Sequence, residues 1–307
     1  MSKANSSALG ALLIATAAFL WATDALFRVP AVESLDPTFI VFCEHAIGMI
    51  VLSPWPILSG LPGLLKLKVS EVLGLMIIGG GGSALATVLF TASFREVHPS
   101  VAILLQKFQP LIVIVLAFIF LGERINLRFI KWAALALGAG IVLSFPDFDF
   151  AFLRGDFDPR SRGVALALGA AAIWATSTVA GKALLKGISP ALVTGWRYLF
   201  GMLALVVYMA FADTPLPWDA LMGDRVALRS VLFMATIPGL FGMFLYYQGL
   251  ARTRATVATL AELVFPVTAI FLNAVWLDRP LSPVQLGAAL VLLASVTRIS
   301  LLDERSS

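Results

Sequence analysis

Long apolar runs alternate along this chain with short polar or charged punctuation. A helix needs about 20 mostly apolar residues to cross the hydrocarbon of a bilayer. By that measure the pattern predicts ten helices, over roughly 9–28, 38–59, 72–94, 100–121, 128–146, 163–185, 190–212, 228–250, 255–277 and 283–302. Helices are expected because hydrocarbon offers no partner to free backbone groups, and the alternation of a membrane barrel is absent. Turn chemistry separates the runs, as at Leu35-Asp36-Pro37, Leu121-Gly122-Glu123 and Ile188-Ser189-Pro190. The longest loop, Asp147–Arg162, falls near the middle, and no polar stretch is long enough to hold a water-soluble domain. The first run continues past Trp21 and lacks a small-residue cleavage site, so it reads as a span and not as a secretion signal.

The second half of the chain repeats the first. A shift of 153 sets Trp21-Ala22-Thr23 on Trp174-Ala175-Thr176, Pro37 on Pro190, and Gly48-Met49 on Gly201-Met202, six identities in 30 positions. Further on the shift becomes 156, setting Leu89 on Leu245, Val101-Ala102 on Val257-Ala258, Pro110 on Pro266 and Leu121 on Leu277. The pattern predicts two related domains, 1–150 and 151–307, of five helices each. An odd number makes the second half enter the membrane from the opposite side. Inverted repeats of this kind build many alternating-access carriers, with the substrate between the halves near the midplane.

Composition agrees with a polytopic membrane protein. Of 307 residues, 60% are apolar and 13% charged, with a mean hydropathy of +0.94, whereas a soluble domain carries about 25% charged residues. The net charge of +4 does not indicate a nucleic-acid partner; in such a chain basic residues mainly set orientation. With the N-terminus in the cytoplasm, 12 Lys and Arg residues fall on the cytoplasmic side and 8 on the other, which predicts cytoplasmic termini. Cys43 is the only cysteine and has no internal disulfide partner, so it is read as a small packing residue.

A tryptophan-bearing first helix, a second helix opened by proline, a proline midway along the fourth and Leu121-Gly122-Glu123 before a Gly-rich fifth helix resemble the EamA repeat. Two such repeats are similar to the drug/metabolite transporter superfamily over nearly the whole chain. Within it, the chain looks most like the YddG-type exporters of aromatic amino acids. The resemblance implies an all-α integral membrane protein that exports small metabolites across the cytoplasmic, or inner, membrane. In the second half Leu277-Asp278-Arg279 replaces Leu-Gly-Glu, so the function of that glutamate is not duplicated.

Charge inside a span is expensive and needs a reason. Asp24, Glu44, Lys107, Arg197 and Glu262 are the five instances, and form the expected gating or ion-pair set. Glu44 and Arg197 are equivalent under the 153 shift, and Glu262 is equivalent to Gln106, the neighbour of Lys107. Two cross-repeat pairs are therefore expected, Glu44 with Arg197 and Lys107 with Glu262, acting as structural bridges or gates, or else in contact with substrate or a coupling proton. Asp24 has Arg28 at i+4, which reads as a local pair or as an outer-gate carboxylate. The expected substrate-binding set is Trp21, Thr23, Phe90, Gln106, Gln109, Pro110, Trp174, Ser177, Tyr246, Gln248 and Pro266, combining stacking surfaces with fixed polar groups. Pro110 and Pro266 are expected to kink their helices, and Gly79–Gly82 with Pro238-Gly239 mark equivalent points in helices three and eight where backbones approach closely or the helix bends.

Catalytic chemistry is poorly supplied. His45 and His98 make no metal cluster or nucleophilic constellation, and no Walker loop or protease motif is present. The expected protein is thus not an enzyme, needs no cofactor, and partners with a small-molecule substrate, an amino acid, and the lipid bilayer. Carriage of threonine-like amino acids, other metabolites or drugs, a passive channel and a membrane-embedded enzyme remain the alternatives, and the oligomeric state is open.

Overall fold

The computed structural model describes residues 3–54, 62–109, 111–112, 115, 127–150, 157–212, 214–253, 257–258 and 261–304. They form α1 (Lys3–Ser34), α2 (Pro37–Leu52), α3 (Val69–Ser93), α4 (Pro99–Leu105), α5 (Leu127–Ser144), α6 (Pro159–Leu184), α7 (Pro190–Ala212), α8 (Arg225–Arg252), α9 (Val264–Trp276) and α10 (Pro283–Glu304). A short helix, Trp218–Gly223, lies between α7 and α8. There is no strand among the described residues. Among the described residues, five helical segments are long and apolar enough to cross a membrane: Ala8–Ser34 within α1, and α3, α6, α7 and α8. Shorter apolar helices occupy Pro37–Leu52, Val264–Trp276 and Pro283–Ile299.

Helix starts follow the punctuation. Asp36 Oδ1 accepts from the backbone N–H groups of Thr38 at 2.8 Å and Phe39 at 3.3 Å, with Pro37 in the first turn of α2. Asp158 Oδ1 does the same for Ser161 N at 2.8 Å, ahead of Pro159 in α6. Each cap satisfies donors that the helix itself leaves without partners. In the central loop Arg160 Nη1 grips both oxygens of Asp147, at 2.6 and 2.8 Å, which holds that exposed carboxyl below its usual range.

The two halves exchange their first helices. α1 packs on α8 and α9 of the second half, and α6 packs on α3 and α4 of the first. α7 lies against α2 and the middle of α3, and α5 against α10. Polar ties cross the same seams: Asn273 Nδ2 donates to Ser100 Oγ at 3.0 Å, and Gln285 Nε2 to the Leu143 carbonyl at 3.0 Å. Leu12, Ile50, Leu203, Val207 and Leu290 point outward. An exposed belt of such residues suits contact with lipid chains.

α1 runs past its expected end at 28 to Ser34. Arg28 does not mark the membrane boundary, because it is buried against two carboxylates. α3 and α8 are not uniform α-helices. Ile77–Leu85, around the glycine run, and Ala235–Gly242, around Pro238, are wound as π-helix. Both segments are the points singled out in the sequence, and they fall at corresponding places in the two repeats; at Gly79 a Cβ would lie 2.9 Å from the Arg197 carbonyl oxygen, so the close approach expected there is present. The π register shifts the backbone bonds to i+5 and leaves nearby carbonyls open to other donors.

Candidate functional site

Between the exchanged helices lies a cavity of about 210 Å³. Its walls are built twice from equivalent residues. The Trp21 indole Nε1 donates to the Pro238 carbonyl at 3.0 Å, and Trp174 Nε1 to the Gly82 carbonyl at 2.8 Å. Residues 82 and 238 are themselves equivalent under the shift of 156. Each half's first-helix tryptophan is thus tied to a π-helical carbonyl of the other half. Beside it stands an aromatic ring of that other half: Trp21 lies 5.1 Å from Tyr246, and Trp174 lies 5.2 Å from Phe90, between ring centroids. Phe90 and Tyr246 are also equivalent positions (shift 156). Stacking surface is therefore offered from both sides of the cavity.

α2 and α7 approach closely in the same reciprocal way. A Cβ on Gly48 would fall 2.4 Å from the Tyr198 ring, and one on Gly201 would fall 2.6 Å from His45 Nε2. Only glycine fits at these two crossings. The contact brings the His45 and Tyr198 rings to 5.3 Å and sets Glu44 and Arg197 beside the cavity.

The charges do not follow the symmetry. Arg28 Nε donates to Asp24 Oδ2 at 2.5 Å, Nη2 to Asp24 Oδ1 at 2.8 Å, and Nη1 to Thr91 Oγ1 at 2.8 Å. The expected local pair of Asp24 with Arg28 is present. Arg28 Nη2 also pairs with Glu44 Oε1 at 2.8 Å, so one guanidinium serves two carboxylates. The expected pairing of Glu44 with Arg197 is corrected: Glu44 is taken by Arg28. Arg197 Nε instead donates to Ser83 Oγ at 3.2 Å, and Nη1 to the Tyr247 hydroxyl at 3.4 Å. Equivalence under a pseudo-axis puts two side chains at matching depths, and it does not put them in contact.

Lys107 and Glu262 are brought together. Lys107 sits in a 3₁₀ turn, Gln106–Phe108, that breaks the helix after α4. Its Nζ donates to the Glu262 carbonyl at 3.5 Å and lies 5.4 Å from the Phe265 ring centroid. The expected ion pair is not closed: the Glu262 carboxylate acts on Lys107 through space without coming within 4 Å of it, and it lies within reach of the Tyr246 hydroxyl. Glu262 also occupies a turn, which separates α9 from the helical residues before it. Pro266 therefore stands in the first turn of α9 and does not kink a continuous helix; its missing N–H falls where a helix has no bond to lose. Pro266 is buried and is not among the residues lining the cavity, whereas its neighbour Phe265 is. Pro110 lies outside the described residues.

Of the remaining expected residues, Gln106, Gln109 and Ser177 line the cavity, and Ser177 Oγ donates to the Ile77 carbonyl at 3.2 Å. Thr23 and Gln248 do not line it. Thr23 Oγ1 bonds the Leu20 carbonyl at 2.6 Å, and Gln248 Oε1 accepts from Arg252 Nη1 at 2.6 Å. Each lies two residues past an aromatic that does line the cavity, about 200° around the helix. Sequence reasoning missed His45, Ser83, Thr87, Tyr198 and Tyr247 as lining residues. Repeat equivalence signals Tyr198, since it matches His45; nothing in the sequence singles out Ser83.

The comparisons with known proteins follow the same organisation. The EamA-like transporter family model matches twice, over residues 8–145 and 161–301. The chain is similar to "Riboflavin transporter ImpX" of Fusobacterium nucleatum, 31% identical over 308 residues that cover 96% of this chain and 98% of that one. It is also similar to "Protein PecM" of Dickeya dadantii, 29% identical over 248 residues, covering 76% and 75%. An uncharacterized transporter of Archaeoglobus fulgidus is 24% identical over 86% of this chain and 88% of its own. A crystal structure sharing 19% identity aligns over 100% of both chains with a TM-score of 0.64, which speaks to the fold alone.

Proposed function

This chain belongs to the EamA-like transporter family, and on that premise we propose that it is a secondary carrier moving a planar aromatic metabolite by alternating access. The observation that carries this reading is the duplicated aromatic wall, Trp21 with Tyr246 and Trp174 with Phe90, around polar and charged groups. Rings on both sides suit a flat solute, and fixed polar groups suit its substituents. The exchanged first helices give each half a grip on the other, as rocking of one half against the other requires. In this reading ten helices form two inverted repeats, 1–150 and 151–307, with both termini on the cytoplasmic side of the inner membrane and net movement outward. Taking the buried Arg28 out of the loop count widens the basic bias that favours this orientation.

Two cargoes fit. Aromatic amino acids suit a cavity of about 210 Å³, smaller than the roughly 300–1,000 Å³ typical of drug-sized ligands. A flavin is favoured by the 31% identity to a protein named as a riboflavin transporter, and it would need a wider opening. Proteoliposomes loaded in turn with tryptophan, phenylalanine, riboflavin or threonine separate these readings. Saturable counterflow of an aromatic solute supports the carrier. Linear flux without exchange would mean a channel, chemical conversion would mean an enzyme, and counterflow of threonine alone would remove the aromatic class.

A further inference from the structure

Arg197 is a buried cation without a carboxylate. It is 8% exposed, lines the cavity, and among the described residues its partners are the hydroxyls of Ser83 and Tyr247. A charge taken out of water demands an opposite charge or a full set of directed bonds. At the equivalent point of the other half the demand is met internally, since Glu44 has Arg28 within 2.8 Å. The second half cannot copy that solution. The residues equivalent to Asp24 and Arg28 under the shift of 153 are Ser177 and Gly181, both uncharged and both lining the cavity.

The guanidinium is also held in place. His45 Nδ1 lies 2.8 Å from the Val41 carbonyl, an acceptor only, so Nδ1 carries the proton and Nε2 is an acceptor. Nε2 accepts a hydrogen bond from the Ser83 hydroxyl at 3.0 Å, which turns the Ser83 lone pairs toward Arg197 Nε at 3.2 Å. A relay of neutral groups thus fixes Arg197 through Nε, the Tyr247 hydroxyl takes one Nη1 N–H, and among the described residues Nη2 is left for another partner. Positioned cations of this form bind a carboxylate through two parallel N–H bonds.

We infer that Arg197 is the anchor for a carboxylate on the cargo, placed so that a ring attached to that carboxylate lies between the aromatic pairs. This assignment rests on the carrier reading and narrows its cargo to aromatic acids and amino acids bearing a free carboxylate. The test uses the full chain in nanodiscs and two matched probes, indole-3-propionate and its primary amide, with binding measured calorimetrically. The wild type is expected to bind the acid at least about tenfold more tightly than the amide, the scale of one charge-assisted hydrogen bond. R197Q is expected to erase that preference by bringing acid affinity down to the level of the amide in the same variant, and R197K to retain part of it. Equal affinity of the wild type for both probes overturns the assignment, and so does a preference that survives in R197Q. The wild-type comparison decides even where R197Q fails to fold. Absence of aromatic counterflow in proteoliposomes would remove the aromatic-carrier reading, and the acid-to-amide ratio in nanodiscs would still judge Arg197.

Discussion

Residues 44 and 197 occupy the same place in the two halves, and their surroundings share a scaffold. Reciprocal glycine crossings, reciprocal tryptophan-to-carbonyl bonds and reciprocal aromatic pairs surround both. Their chemistry differs. Glu44 belongs to a cluster of two carboxylates around one guanidinium, whereas Arg197 is held by neutral hydroxyls. The symmetric part of the molecule holds the halves together, and the asymmetric part is free to recognise a cargo that has no two-fold symmetry of its own.

The strongest way to break this comparison is to remove the cation from the first cluster. Arg28→Gln leaves Asp24 and Glu44 buried together without a counter-charge, and it should destabilise the protein by about 3–5 kcal/mol. Arg197→Gln loses two hydrogen bonds but also removes a buried cation that no carboxylate balances, so its cost should stay below about 2 kcal/mol. Denaturant unfolding of the detergent-purified variants gives both values. Equal losses would mean that the two sites are balanced alike.

A smaller effect tests the symmetric part. Trp21→Phe and Trp174→Phe each keep a ring and delete one indole bond to a π-helical carbonyl. Each should cost about 1 kcal/mol, and the two should cost the same within error in the same unfolding assay. A clear inequality would show that one bond is incidental.

The smallest expected effect lies outside the membrane. His98 Nδ1 accepts from Ser100 N at 3.1 Å, so Nε2 donates to the Arg279 carbonyl at 3.0 Å, joining loops of the two halves. Burial lowers the pKa of this imidazole. A folded pKa below the unfolded one gives stability that is present above the ordinary histidine range and lost as pH falls through the folded value. Acidification from about pH 7 toward 5 should therefore lower the melting temperature of the wild type slightly more than that of His98→Asn. Parallel pH profiles would remove His98 from the account.

Much of this was legible in the sequence. The shift of 153 located the duplicated tryptophans, and the shift of 156, which sets Gln106 on Glu262, pointed to its neighbour Lys107. The i+4 spacing of Asp24 and Arg28 gave their pair directly. The glycine run and Pro238 marked the places that wind as π-helix, but hydropathy carries no sign of an i+5 register. Equivalence points Glu44 to Arg197 and hides its real partner, because Arg28 stands at the end of an apolar run and reads as a loop residue. Thr23 and Gln248 have suitable chemistry, but helical geometry turns both away from the cavity.

Two double-mutant cycles measured by the same unfolding assay test the central asymmetry most directly. In the first, Arg28→Gln and Glu44→Gln should be strongly non-additive, with a coupling of about 1–3 kcal/mol. In the second, Glu44→Gln and Arg197→Gln should add to within about 0.5 kcal/mol. Strong coupling of Glu44 to Arg197, with additivity between Arg28 and Glu44, would contradict the account.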